Sequence, residues 1–332
     1  MWRAPLLLVS FLPAALGRSL LSRRSPRLSL DAGASKGAFL QKDPEPRRFT
    51  MSHLAKCGGT QVKGLLIASM TDADYSLGHL RNSTLSFHGN DSVLPYLNIE
   101  NEYGLVKPSD LGDFILGSIR NPFDYYISLW AYTSQRCADC NFAKAIKEDK
   151  WDEVFSNETL RGNTSEDLQR FRKWLRLVSS EELGLLSLRF YAKYLDQDKN
   201  SILHFGSGNW QDDTSHKLKR RHPDLHERAI DVLSKFEHED DGAVTCWVRT
   251  ENVVEDTRHC LERYEKEGGP EGAIDWQAFD DAMSKTIKVK SSHVPCERFY
   301  DDDTRDLVLK GDAAIFRAFG FPEECDPPRS KE

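Results

Sequence analysis

The sequence predicts a single α/β domain, with a central parallel sheet flanked by helices. Three stretches point to it, around residues 47–69, 113–130 and 243–266. In each, an apolar run short enough for a strand passes through a turn into a helically spaced run. The 332 residues suffice for one large domain or two small ones. A formal charge of −7 argues against general nucleic-acid binding, because no basic excess exists to replace counterions.

In chain order, residues 4–17 form a short apolar segment behind Arg3. With two prolines it falls short of the roughly 20 residues a membrane span needs. It reads as a signal-peptide core, with small residues from Ala14 to Gly17 for cleavage. Arg18, Arg23, Arg24 and Arg27 follow among serines, so residues 18–45 read as a stem or linker ahead of a domain at 46–325. Basic residues after the span weaken a signal-anchor reading, although membrane association through this segment stays open. A bipartite plastid address stays open too. Asn82, Asn90, Asn157 and Asn163 stand in glycosylation sequons, which favours the secretory route.

Phe49, Met51 and His53 alternate with Thr50 and Ser52 as in a short strand. Gly58 and Gly59 then permit a tight turn. Val62, Leu65, Leu66 and Ser69 recur at helical spacing, so the turn opens a helix. A strand, a glycine turn and a helix N-terminus aim several backbone N–H groups at one point, and Lys56 adds a positive charge there. This is an anion site. It is not a Walker A loop, in which the lysine follows the glycines.

The run Phe114–Ile119 reads as a buried strand. Asn121 and Pro122 suit a helix N-cap and first turn, and Phe123, Tyr126, Ile127 and Trp130 supply the apolar stripe. Arg120 thus ends a strand, with Ser128 on the next helix, and the two can grip one phosphate.

The order His53-x-x-Lys56-x-Gly58-Gly59-Thr60 resembles the 5′-phosphosulfate loop of sulfotransferases that use 3′-phosphoadenosine 5′-phosphosulfate (PAPS). Ala55 stands where proline is usual. Arg120-Asn121-Pro122 with Ser128 resembles the same family's 3′-phosphate motif. The resemblance spans roughly residues 46–322 and is strongest in the first third. It implies a P-loop-like sulfotransferase fold and a PAPS site built from Lys56, Cys57, Gly58, Gly59, Thr60, Gln61, Arg120 and Ser128. It implies Lys56 as a catalytic residue and a catalytic base between the motifs: His88 first, His79 second, with Glu100 and Glu102 as carboxylate alternatives.

Farther on, Thr164–Asp167 reads as a capping box opening a helix through Leu168, Phe171, Leu175 and Val178, stopped by Gly184. Leu185–Leu195 reads as further helix with an aromatic face. His216–His222 is a dense basic run, either a solvated surface or a docking patch for an anionic acceptor. Pro223 begins another helix through Leu225, Ile230, Leu233 and Phe236. Residues 243–249 have a strand's composition and lead through Thr250-Glu251-Asn252 into a helix over Val253–Lys266. This segment resembles the family's Arg-Thr-Glu-x-Leu stretch, with Val253 at the leucine position. Lys290–His293 resembles its Asn-x-Ser loop, with Lys290 replacing the asparagine.

Seven cysteines suit an oxidising compartment. Cys57, inside the loop, is expected to be unpaired. Cys137 and Cys140 read as a local disulfide, and Cys246, Cys260, Cys296 and Cys325 allow two more bridges of undecided connectivity.

The expected activity is therefore sulfuryl transfer from PAPS to an acceptor hydroxyl on a carbohydrate, in the Golgi lumen, releasing 3′-phosphoadenosine 5′-phosphate (PAP) and using no metal. A nucleotide-dependent kinase fails on the displaced lysine and on the lack of an aspartate motif for magnesium. The alternative from another class is a glycan-binding protein that keeps the fold without turnover.

Overall fold

The computed structural model describes residues 47–70, 97–99, 112–136, 164–196, 214–286 and 296–325. The expected signal and stem lie outside the described residues. So do the four sequon asparagines, His79, His88, Glu100, Glu102, Cys137, Cys140 and the Lys290–His293 loop.

The strands are β1 (Phe49–His53), β2 (Leu97–Ile99), β3 (Phe114–Ile119) and β4 (Cys246–Arg249). They form one sheet in the order β2-β1-β3-β4, and every pairing is parallel. The register sets Met51 opposite Ile99 and Leu116, and Ser118 opposite His53 and Val248. The described residues are otherwise mostly helical. The helices are α1 (Gly59–Met70), α2 (Pro122–Arg136), α3 (Ser165–Val178), α4 (Leu185–Phe190), α5 (Ser215–Arg221) and α6 (Pro223–Ser234). After β4 come α7 (Val253–Lys266), α8 (Trp276–Thr286), α9 (Asp302–Gly311) and α10 (Ala313–Phe319).

Period-two alternation sorts the strand side chains between two cores. Phe49, Met51, Phe114, Leu116, Cys246 and Val248 bury one face of the sheet against α1, α7 and α8. Phe49, Phe114 and Tyr264 stack there, with ring centroids 5.0–5.5 Å apart. Ile115, Ile119 and Trp247 bury the other face against α2, α3, α4, α6 and α10. Each such aromatic or aliphatic side chain contributes about 1.5–3 kcal/mol by leaving water. Both faces being covered, the polar half of β1 is also dry: Thr50 and Ser52 are fully buried. The Thr50 hydroxyl donates to Asp113 Oδ2 at 2.6 Å.

Three readings need correction. Helix α6 ends at Ser234 with Lys235 as its C-cap, so Phe236 lies past the helix, its N–H turning back to Leu233 O. Helix α3 opens as expected, with Thr164 Oγ1 accepting from Asp167 N at 3.1 Å. It ends at Val178, however, where Ser179 N closes on Leu175 O. Gly184 does not stop it; Gly184 is the N-cap of α4. A Cβ there would lie 2.3 Å from the Asp312 carboxylate, so packing against α10's N-terminus is what requires glycine. Nor is 185–195 one α-helix, because Tyr191–Leu195 winds as a π turn. The widened turn is accompanied by a bond from Tyr194 Oη to Ser52 O at 2.8 Å.

Asp312 is completely buried. It accepts from Tyr126 Oη at 2.7 Å and from Ser187 N in α4's first turn at 2.8 Å. Desolvation nevertheless dominates and raises its pKa to about 6. The native state therefore holds this proton more tightly than the unfolded chain, whose carboxyl titrates near ~3.9. The contribution to stability is full below about pH 4 and is lost as pH rises through about 6, a change on the order of 3 kcal/mol. Denaturant titrations of wild type and Asp312→Asn between pH 4 and 7.5 should converge on a constant difference above that window and diverge within it. A difference that does not vary with pH would refute the assignment.

Cys246 is bonded to Cys260 and Cys296 to Cys325, while Cys57 is free and buried. The first bridge pins β4 to α7. The pairs close separations of 14 and 29 residues, which in the chain-entropy model stabilises by about 3 kcal/mol or slightly more each. Such bonds fit an oxidising, secretory environment. Among the described residues, no helix is long and apolar enough to cross a membrane.

Candidate active site

The strand order creates a switch point between β1 and β3. From β1 the chain enters α1 on one face, and from β3 it enters α2 on the other. The two helices leave the sheet on opposite faces, and open parallel sheets bind ligands beyond the C-terminal strand ends at such a point. Both motifs lie at these strand ends.

The β1–α1 turn is tightly shaped. Cys57 N donates to Leu54 O at 3.1 Å, and Gln61 N and Val62 N both donate to Gly58 O. The N–H groups of Gly59 and Thr60 come before these bonds, at the helix N-terminus. The left-handed residues are Lys56, at φ 69°, and Gly58, at φ 76°. Gly59 serves differently: a Cβ there would fall 1.9 Å from the His53 ring. The glycine pair thus answers one turn requirement and one close approach, and a lysine takes the second turn position at a cost of roughly 1–2 kcal/mol. Among the described residues Lys56 is the one non-glycine with positive φ. Strain of that kind gathers at functional sites.

The Lys56 ammonium lies 4.0 Å from the centre of the Tyr132 ring, which is exposed. Asp124, Ser128 and Tyr132 repeat every four residues along α2 and are each at least partly open to solvent, unlike the buried Phe123, Tyr126, Ile127 and Trp130. Ser128 therefore lies on the wet stripe of α2.

Arg120 follows β3 directly and is half-buried. Its Nη1 donates to Lys56 O at 3.3 Å. Its Nε is buried with no hydrogen-bond partner among the described residues, which leaves donor capacity beside the loop. Asn121 caps α2 by accepting from Phe123 N at 2.9 Å. The structure thus brings Lys56, Cys57, Gly58, Gly59, Thr60, Gln61 and Arg120 together at the switch point, with Ser128 along the adjoining helix.

Cys57 is buried, and desolvation raises its thiol to about 12, against the lowering influence of Arg120, Arg189 and Lys56. It is a neutral packing group at ordinary pH, not a nucleophile. Any contact with a nucleotide at Cys57 would run through its backbone.

Arg189 escaped the sequence reading, and Thr250 and Glu251 entered it only as a family-like stretch with no place in the site. Arg189, on α4, is buried and donates to Tyr125 Oη at 2.8 Å, close enough to Cys57 to act on it electrostatically. Thr250 and Glu251 come from the 3₁₀ turn after β4. Thr250 Oγ1 donates to Ile119 O at 3.0 Å, and its side chain lies 3.5 Å from where a Gly58 Cβ would stand. Glu251 Oε1 accepts from Asn121 N at 2.9 Å. Burial raises the Glu251 pKa, while the Asn121 hydrogen bond and the Arg120 charge oppose the rise. The signals for these two were the family-like stretch that holds them and their position immediately after a strand of the same sheet.

Clustered donors, positive charges and a helix N-terminus suit a polyanion with two separate anionic groups. One would meet α1's N-terminus and Lys56, the other Arg120 and Ser128. Comparison with protein-family models, curated proteins and solved structures returns no match for this chain.

Proposed function

We propose that this protein is a PAPS-dependent sulfotransferase of P-loop-like fold that sulfates a hydroxyl group, on a carbohydrate, in the Golgi lumen. One observation carries the reading: two strand–turn–helix junctions, each holding a cation, meet at the sheet's switch point and are joined by the Arg120–Lys56 hydrogen bond. Two anion sites side by side match a nucleotide bearing a 5′-phosphosulfate and a 3′-phosphate. The spacing of Lys56-x-Gly58-Gly59 and of Arg120 to Ser128 supports the same assignment.

PAPS, when bound, supplies an activated sulfuryl group on a good phosphate leaving group. The protein's part is positioning and charge stabilisation, by analogy with loose phosphoryl transfer. Lys56 and the Gly59 and Thr60 N–H groups hold the 5′-phosphate and offset the charge that develops on it. Arg120 and Ser128 hold the 3′-phosphate, far from the reacting bond. His88 takes the acceptor's proton. The disulfides favour a secretory setting, in which glycans are the abundant hydroxyl acceptors.

The test is calorimetric titration of the folded protein with PAP, together with an acceptor screen using labelled PAPS. Wild type should bind PAP and, given PAPS and a glycan acceptor, should sulfate the acceptor and release PAP as the other product. Arg120→Ala should weaken PAP binding about 10- to 100-fold, the effect of losing one charge-assisted contact. It should raise KM more than it lowers kcat, since the contact is remote from sulfur. Unchanged PAP binding in that variant would overturn the assignment.

A further inference from the structure

We infer that Glu251 is a positioning residue for the 3′-phosphate side of this site, acting through the β3–α2 junction rather than on the ligand itself. The inference rests on the reading of the site as a PAPS site. The turn Thr250–Asn252 follows β4, the strand beside β3, and the register pairs Arg249 with Ile119. Its side chains reach back to the chain on either side of Arg120. Thr250 Oγ1 donates to Ile119 O, just before Arg120, and Glu251 Oε1 accepts from Asn121 N, just after it. Ile119 and Asn121 are both buried. Arg120 is thus held between two side chain–backbone hydrogen bonds contributed by consecutive residues about 130 positions later in the chain.

The arrangement has a chemical reason. A residue leaving a strand and entering a helix loses its ladder partners, and its neighbours' backbone groups need substitutes. Here one turn supplies both. The direction of the Arg120 guanidinium depends on the backbone at 119–121, and a misdirection of about an ångström at a binding group is enough to weaken its contact. Glu251 also places a carboxylate near the Arg120 guanidinium, whose charge opposes the rise that burial imposes on the carboxyl. The Thr250 side chain meanwhile sits against Gly58, so the same turn touches the phosphosulfate loop.

The experiment uses the full-length protein and compares Glu251→Ala with Glu251→Gln, which retains an acceptor oxygen for Asn121 N. PAP binding is measured by calorimetry, with adenosine 5′-phosphate as the probe lacking the 3′-phosphate. Glu251→Ala should weaken PAP about tenfold with adenosine 5′-phosphate nearly unaffected, and Glu251→Gln should restore PAP affinity to within about threefold. Combined with Arg120→Ala, the Glu251→Ala change should add almost nothing, because it acts through the group already removed. Equal weakening of both nucleotides, or full additivity with Arg120→Ala, would overturn the inference. A ligand-free readout separates it from the function. Exchange of the Asn121 amide should quicken in Glu251→Ala and not in Glu251→Gln, even if wild type fails to bind PAP. In that outcome the sulfotransferase reading falls, whereas unchanged Asn121 exchange in Glu251→Ala would remove the clamp itself.

Discussion

Lys56→Ala is expected to lower sulfuryl transfer by about 10²–10³-fold, the usual cost of losing one preorganised group that faces developing charge. PAPS affinity should fall with it, because the ammonium serves ground state and transition state alike. The backbone makes a second variant informative. Lys56 holds φ 69°, a conformation glycine adopts without a Cβ clash. Lys56→Gly should be equally impaired in turnover yet more stable than Lys56→Ala by up to about 1 kcal/mol, after allowing for glycine's larger unfolded-state freedom. Both variants lose the contact with Tyr132, so that term cancels in the comparison. Turnover with labelled PAPS and urea denaturation of the pair are the measurements. Near-normal turnover in either variant would remove Lys56 from the mechanism.

His88→Ala is expected to lower kcat by about 10²–10⁴-fold while PAP affinity stays nearly intact. A histidine base with the ordinary pKa near ~6.5 must be neutral to accept the acceptor's proton, so wild-type kcat should fall as pH drops through that region. The acidic limb should vanish in His88→Ala and persist in the residual activity of Lys56→Ala. If His88→Ala keeps both its rate and its limb, the base lies elsewhere, and His79, Glu100 and Glu102 are the replacements to make next.

What could be read without coordinates was whatever local chemistry encodes. The Thr164 cap, the Asn121-Pro122 start of α2 and the strand-to-helix passage at Arg249–Val253 each depend on neighbours a few residues apart, and each is found as expected. The burial of both faces of β1 was not legible, because alternation with threonine and serine looks the same whether the polar side is wet or dry. Strand order was equally hidden, since nothing in Leu97–Ile99 states which edge of β1 it joins. In the site, the cations and glycines announced themselves by spacing. The contacts of their supports did not: Arg189 bonds to Tyr125 and Glu251 to Asn121, across 64 and 130 residues. Lys56 as the left-handed residue was masked by the adjacent glycines, which seemed sufficient for the turn.

Ala55 stands where a proline would have restricted the chain before folding begins. Within Leu54–Gly58 the turn is closed by the bond from Cys57 N to Leu54 O and carries a strained lysine. The bond from Arg120 that fastens it spans 64 residues. Closing so long a loop has an entropic cost that only the paired strands β1 and β3 can offset. The β1–α1 turn is consequently a product of tertiary assembly and not a preformed local motif. Its geometry is complete only when β1 and β3 are paired.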